Sequence, residues 1–169
     1  YVIGEETWEV RDGIVRKIEK TEEVEETKEE VIKEEAEEVK EMVNAITHGI
    51  GFLLSITALV FLIMFAVQNG STWHVVTFTI YGVSMLLLYL SSTLVHSFPE
   101  GKLKDLFEIF DHSAIYLFIA GTYTPFTLIV INGALGWTLL GIVWGIAIAG
   151  IVFKSFFVKK FLYISTILY

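Results

Sequence analysis

Within 169 residues, a hydrophobic content of 54% is combined with a formal net charge of −8, but the two properties belong to different parts of the chain. Residues 1–41 hold 16 of the 20 acidic and 7 of the 12 basic residues, whereas residues 42–169 have a net charge of +1. Residues 42–169 are too apolar to form the core of a soluble domain of this size. The absence of cysteine excludes a disulfide framework, a thiolate metal site and a cysteine nucleophile in this sequence.

The acidic N-terminal part is predicted to contain two elements. Residues 1–18 are typical of a β-hairpin around an Asp12-Gly13 turn. Two strands alone are only marginally stable in water, so this hairpin would need a further contact. Residues 19–41 are predicted to form an acidic, solvated helix that leads into the first membrane span. A narrow valine stripe on this helix leaves a coiled coil or a protein partner as the alternative.

Four apolar segments each have about 20 residues, the length that crosses a bilayer. They cover residues 42–67, 73–96, 112–131 and 133–153, and residues 161–169 form the start of a fifth. The chain is therefore predicted to be an all-α integral membrane protein, with a transmembrane bundle over residues 42–169. We expect it to be a piece of a longer protein.

The positions of the lysines predict the orientation of the bundle. Basic residues follow the second and fourth spans, and the connections after the first and third spans have none. The lysines concerned are Lys102, Lys104, Lys154, Lys159 and Lys160. Because positive residues favour the cytoplasmic side, the N-terminus is predicted to lie inside, in a multi-pass protein of the cell membrane.

Ionisable side chains occur at the predicted cytoplasmic ends of the first three spans. Such residues are costly near or within a membrane and are therefore candidates for function. They are Glu41, His48, His96, Asp111 and His112. His74, at the opposite end of the second span, is predicted to be an isolated interfacial residue.

Helical spacing assigns these residues to faces. Glu41, Asn44 and His48 lie on one side of the first helix, and Ser92 shares a face with His96 four residues later. Imidazole and carboxylate groups are ligands that zinc favours, and a serine can orient a histidine ring. An ion or proton pathway and a set of structural interfacial residues are the alternatives that the spacing leaves open.

Two further features concern helix packing. Gly141, Gly145 and Ala149 form a stripe of small residues that predicts close helix packing in the fourth span. Pro125 is predicted to kink the third span because it cannot donate a backbone hydrogen bond.

Three sequence blocks resemble the hemolysin III branch of the progestin and adipoQ receptor family. The first block contains Glu41, Asn44 and His48, and the second contains Ser92 and His96. The third contains Asp111, His112, Ser113, Tyr116, Tyr123 and Pro125. The order of the blocks, their helices and their predicted membrane side agree with the family over residues 41–169.

The resemblance implies a seven-helix bundle with the N-terminus inside and a zinc ion near the cytoplasmic face. By the family pattern, His96 would bind zinc directly and Asp111 would bind it through a water molecule. Ser92 would support the site, and Glu41, Asn44 and His48 would pack and orient the nearby helix ends. Two further ligands would come from an H-x3-H pair on a seventh helix, which we expect beyond residue 169.

The first functional hypothesis is a zinc-dependent hydrolase of a lipid amide, similar to the ceramidase-like activity proposed for receptors of this family. Zinc would lower the pKa of water to about 7 and polarise the carbonyl, and Asp111 would be the general base. The alternative is a non-enzymatic homeostasis factor, lipid-state sensor or hemolysin with a structural zinc. A transporter is disfavoured because no span is broken at mid-membrane. Membrane lipids are the predicted partners, and nothing indicates a nucleic acid.

Overall fold

Helices are the only regular secondary structure among the residues that the structure describes. The computed structural model describes the backbone of residues 4–157 and the side chains of residues 27–155. Its helices are α1 (Gly4–Asn69), α2 (Thr72–Ser97), α3 (Lys102–Pro125) and α4 (Gly133–Phe157), with a π-helical segment, Phe126–Ile131, between α3 and α4. The apolar residues 161–169, predicted to start a fifth span, lie outside the described residues.

Four of these helical stretches are long and apolar enough to cross a membrane. They are Thr27–Asn69, Thr72–Ser97, Lys102–Ile131 and Gly133–Ser155. Large aliphatic and aromatic side chains remain exposed along all four, as expected of surfaces solvated by lipid. The prediction of an all-α integral membrane protein is confirmed.

The hairpin predicted for residues 1–18 is wrong. Residues 4–18 belong to helix α1, which continues through the acidic residues 19–41. An Asp-Gly pair specifies a hairpin turn only when the flanking strands pair with each other and pack against other structure. Two strands alone are only marginally stable in water. The surrounding glutamates, lysines and arginines are good helix formers, and the helical conformation satisfies the backbone groups locally.

The chain divides into two compact units, residues 1–41 and residues 42–169. In the first unit, every described side chain from residue 27 to residue 40 is exposed. Lys40 forms an ion pair with Glu37 at 3.1 Å, one turn earlier on the same helix. Val31 and Val39 of the valine stripe are also exposed, so no described residue covers the stripe.

Neighbouring helices of the second unit approach each other at glycines. In each pair, a glycine of one helix faces a larger side chain of the other, which allows close backbone contact. The pairs are Gly51 with Tyr89 for α1 and α2, Gly121 with Ser84 for α2 and α3, and Gly150 with Tyr116 for α3 and α4. Gly82 of α2 likewise contacts Leu59 of α1.

The stripe of small residues on α4 does not form the predicted contact among the described residues. Gly141, Gly145 and Ala149 are exposed, and the space around both glycines is open. The side of α4 that faces α3 uses Ala147 and Gly150 instead, and Ala147 packs with Tyr116 and Ala120.

Pro125 is followed directly by the π-helical segment. Because proline lacks a backbone N–H, the regular ladder of the helix is interrupted there. The helix widens, and the Asn132 N–H donates to the Thr127 carbonyl five residues earlier, at 3.0 Å. Trp144 of α4 donates through Nε1 to Thr124 Oγ1 at 3.1 Å, which ties the end of α3 to α4.

Candidate functional site

The end of α2 is fixed by the sequence that follows it. Pro99 disfavours a helical conformation in the preceding residue, and Phe98 is extended, with φ −97° and ψ 139°. Gly101 then adopts a φ of 154°, which a side chain would oppose, and α3 begins at Lys102. This short connection brings the last turn of α2 and the first turns of α3 to the same end of the unit.

A pair of histidines meets between α1 and α2. The rings of His48 and His96 have their centroids 5.7 Å apart and are tilted by 40°. The His48 ring also lies 6.1 Å from the Tyr89 ring. Gly51, one turn after His48, contacts Tyr89, so the absence of a side chain there lets α1 approach α2 at this level.

Ser92 lies one turn before His96 and is only 6% exposed. His96, His48 and Asn44 are each partly buried. The structure therefore brings together the predicted residues His48 and His96, with Ser92 on the same face of α2 as His96. Glu41 belongs to the unit formed by residues 1–41, on helix α1.

The middle of α3 carries the other predicted groups. Asp111 and His112 are partly buried. His112 Nδ1 donates to the backbone carbonyl of Glu108 at 2.7 Å, because a carbonyl can only accept. This bond fixes the ring orientation and leaves Nε2 as the acceptor when the imidazole is neutral.

His74 lies apart from these groups, as its sequence position predicts. The Ser71 backbone N–H donates to His74 Nδ1 at 3.2 Å, and the ring meets Phe78 edge-on at 5.9 Å. Its role is to cap the first turn of α2. Substitution of His74 is therefore a suitable control for the same substitution of His96, which lies on the same helix.

Sequence reasoning missed the environment of Lys154. The sequence suggests a lysine that anchors the end of the fourth span in a cytoplasmic loop, but Lys154 lies within α4 and is only 1% exposed. Burial removes water from its ammonium, and attraction by the Glu108 carboxylate of α3 offsets part of that cost. Helical spacing carries a signal for this burial, because Lys154 follows Ala147 and Gly150 by seven and four residues, on the side that faces α3.

Comparison with known families agrees with the blocks of polar residues. The family described as "Haemolysin-III related" matches residues 36–169, which is most of the chain. The chain belongs to the hemolysin III family.

Two bacterial members of the hemolysin III family are close relatives. The chain is 66% identical over 130 residues to the "Hemolysin-3 homolog" of Bacillus subtilis (strain 168), a match that covers 77% of the chain and 61% of the relative. It is 61% identical over 130 residues to "Hemolysin-3" of Bacillus cereus, covering 77% of the chain and 59% of the relative. The chain thus spans about three fifths of the length of these curated relatives.

A more distant relative is an animal protein. The "Monocyte to macrophage differentiation factor" of Homo sapiens is 26% identical over 106 residues, covering 60% of the chain and 44% of the relative. No solved structure matches the chain. Family membership and the four apolar helices together make this a multi-pass membrane protein.

The side chains of the described residues that could bind a metal do not form a complete metal site. Across residues 27–155, no three His, Cys, Asp or Glu side chains come together in a group that could hold a metal ion. A catalytic zinc needs three protein ligands and an open position. His96 and Asp111 are therefore at most part of such a site, and further ligands are required for zinc to bind.

Proposed function

We propose that this hemolysin III protein is a zinc-dependent membrane hydrolase that cleaves a lipid amide by activating water, within a seven-helix bundle in the complete protein. The observation that carries the proposal is the pair of partly buried imidazoles, His48 and His96, beside the buried Ser92. Polar groups of this kind are expensive among apolar helices and are retained there for function. The remaining zinc ligands come from outside the described residues.

The residues of the site have distinct proposed roles. His96 is a zinc ligand, and Ser92, one turn earlier, supports the orientation of its ring. His48 packs against His96, and Asn44 and Glu41 support the start of the first membrane-spanning part of α1. Asp111, in the middle of α3, would hold zinc through a water molecule.

Zinc, when bound, polarises the amide carbonyl and makes water more acidic. The Asp111 carboxylate accepts a proton as water adds to the carbonyl carbon. The carbon–nitrogen bond then breaks, and the proton passes from Asp111 to the leaving nitrogen. The products are a fatty acid and an amine, and Asp111 ends in its starting state.

A second candidate is a non-enzymatic role with a structural zinc, either in membrane homeostasis and the sensing of lipid state or in lysis of membranes. The names of the two bacterial relatives, "Hemolysin-3 homolog" and "Hemolysin-3", favour lysis among these. In this case the metal holds helices together and no lipid is consumed.

Hydrolysis by the complete protein separates the two candidates. The purified protein, in phospholipid nanodiscs that contain ceramide, is expected to release fatty acid, measured by mass spectrometry. A zinc chelator should stop the release, and added zinc should restore it. If the protein holds zinc but releases no more fatty acid than empty nanodiscs, the hydrolase proposal fails and the structural role is favoured.

We also propose that the N-terminus lies in the cytoplasm and that the protein resides in the cell membrane, because the lysines follow the second and fourth spans. Gln68, in the last turn of α1, and Lys102, the first residue of α3, are exposed and lie beside the first and second connections between spans. Cysteine at position 68 is expected to react with a membrane-impermeant maleimide on intact cells, and cysteine at position 102 only after permeabilisation. The opposite pattern would invert the proposed orientation.

A further inference from the structure

The dipeptide Asn-Gly occurs twice in the chain, as Asn69-Gly70 and as Asn132-Gly133. Asn69 ends the first apolar helical stretch, and Asn132 connects the third stretch to the fourth. All four residues are exposed. In this dipeptide the backbone nitrogen of glycine can attack the side-chain amide of asparagine, because glycine has no side chain to hinder the approach. The two pairs are matched in sequence and in exposure, so a difference in their reactivity would come from their local structure.

The backbone of Asn132 brings its side chain to the following residue. Asn132 has a φ of 57° and a ψ of 175°, a combination that residues with a side chain rarely adopt. In this conformation the Gly133 N–H donates to Asn132 Oδ1 at 2.5 Å. Because Oδ1 is bonded directly to Cγ, the nitrogen that would attack lies beside the carbon that it would attack.

The Gly133 nitrogen is also outside the hydrogen-bond ladder of α4. Gly133 is the first residue of that helix, and the first N–H groups of a helix have no carbonyl partner within it. An asparagine that precedes a helix usually accepts from the second or third helical residue, whereas Asn132 accepts from the first. The nitrogen is therefore not held by a helical hydrogen bond that would have to break before it reacts.

The Asn69 pair has the opposite arrangement. Asn69 is the last residue of α1, and its Nδ2 donates to the Phe65 carbonyl at 3.3 Å, one turn back along the helix. The Gly70 N–H donates to the Ala66 carbonyl at 2.9 Å. The side-chain amide is thus held toward the preceding turn, and the Gly70 nitrogen is already engaged. Both hydrogen bonds must break before these two groups can react with each other.

We propose that Asn132 is a site of spontaneous deamidation in the folded protein, and that the structure protects Asn69. The Gly133 nitrogen loses its proton to solvent and forms a bond with Asn132 Cγ, and the side-chain nitrogen leaves as ammonia. The resulting succinimide takes up one water molecule and opens at either carbonyl, which gives aspartate or isoaspartate at position 132. The reaction uses only this dipeptide and water, so the inference does not depend on the proposed hydrolysis.

The modification changes the start of α4 in two ways. Both products carry a new negative charge there, which the positive end of the helix dipole favours. In isoaspartate the main chain also runs through the former side chain. The carbonyl of residue 132 that accepts the Gly136 N–H at 3.1 Å then no longer belongs to the main chain. Isoaspartate therefore weakens the first turn of α4, whereas aspartate keeps it.

Peptide mapping by mass spectrometry tests the site in the complete protein. The protein in detergent micelles is aged at mildly alkaline pH, in water enriched in the heavy oxygen isotope, which marks each site that hydrolyses during the ageing. Asn132 is expected to deamidate about tenfold faster than Asn69, equivalent to about 1.4 kcal/mol of protection. The products at position 132 should include isoaspartate, which a succinimide produces and direct hydrolysis does not. Equal rates at the two sites, or aspartate alone at position 132, would overturn the proposal.

The denatured protein is the control for sequence. In denaturant both pairs lose their local structure, and their rates should become nearly equal because the dipeptide is the same. If Asn69 stays as slow relative to Asn132 after denaturation, the flanking residues rather than the fold set the difference, and the proposal fails.

A matched pair of variants separates cyclisation from direct attack by water. Asn132→Gln keeps an exposed amide but lengthens the side chain, so the succinimide cannot form, and the peptide that carries position 132 should gain no heavy oxygen. Asn69→Gln makes the same change at the protected pair and should leave the rate at Asn132 unchanged. Wild-type labelling of position 132 in Asn132→Gln would contradict the proposed route. If Asn132→Gln does not fold, the comparison of folded and denatured wild-type protein decides the question by itself.

Discussion

Replacing Asp111 by asparagine in the complete protein is expected to lower the rate of lipid amide hydrolysis by about 10²–10⁴-fold, the usual contribution of a general base. Asparagine keeps the size and much of the hydrogen-bonding capacity of the side chain, but it cannot accept the proton of the attacking water. Asp111 is partly buried in the middle of α3, and asparagine has nearly the same size, so the substitution changes its chemistry more than its packing. The measurement is the initial rate of fatty-acid release.

Asp105→Asn is the control for this prediction. Asp105 lies in the first turn of the same helix and is partly buried too, but it is outside the proposed site. Its variant should hydrolyse at nearly the wild-type rate. If Asp111→Asn keeps full hydrolysis, Asp111 is not the base. If Asp105→Asn loses as much activity as Asp111→Asn, the loss reflects negative charge on α3 rather than proton transfer.

The second large effect is expected at Lys154. Replacing Glu108, the carboxylate of α3 that attracts it, by glutamine should lower the free energy of unfolding by about 2 kcal/mol, because the buried ammonium then loses the opposite charge that offsets its desolvation. Lys154 is 1% exposed, whereas Glu108 is only partly buried, so the ammonium is the group left uncompensated. The free energy can be measured by denaturant titration of the protein in detergent micelles.

A double variant isolates the interaction between the two charges. Lys154→Met combined with Glu108→Gln should recover most of the stability that Glu108→Gln loses, because no buried charge is then left uncompensated. Lys102→Met, at an exposed lysine, should change the stability little. Strictly additive effects of the two single changes would show that Lys154 and Glu108 are not coupled.

Hydropathy predicted the membrane spans well, but it underestimated the length of the helices that contain them. Apolar length is what a bilayer demands, so four spans could be recognised from the sequence. The third was predicted from His112, whereas α3 begins at Lys102. The intervening turns are charged on one side and apolar on the other, where Phe107 and Phe110 lie. Mean hydropathy does not detect such an amphipathic turn.

Predictions from short sequence patterns were wrong where helix packing, or the continuation of a helix through the pattern, determined the structure. The Asp12-Gly13 pair suggested a hairpin, but the flanking residues continue helix α1. The small residues of α4 suggested a packed stripe, whereas α3 contacts a different side of α4, at Ala147 and Gly150. Which face of a helix meets a neighbour depends on the rotation of that helix, and a spacing alone does not specify the rotation.

The candidate site could be predicted in part. Because α1 and α2 are antiparallel spans, His48 and His96 were expected at the same membrane face, and their rings do lie side by side. The burial of Lys154 was missed because a lysine at the end of a span usually anchors it at the interface. The bond that orients His112 depends on the rotamer of its ring, which sequence does not encode.

Zinc content of the complete protein, purified without chelators, tests the central claim most directly. The proposal predicts about one zinc ion per chain in the wild type and in His74→Ala, because His74 only caps the other end of α2. His96→Ala should lose most of the metal. Full zinc occupancy in His96→Ala, or no zinc in the wild type, would contradict the assignment of His96 as a ligand and with it the proposed metal-dependent site.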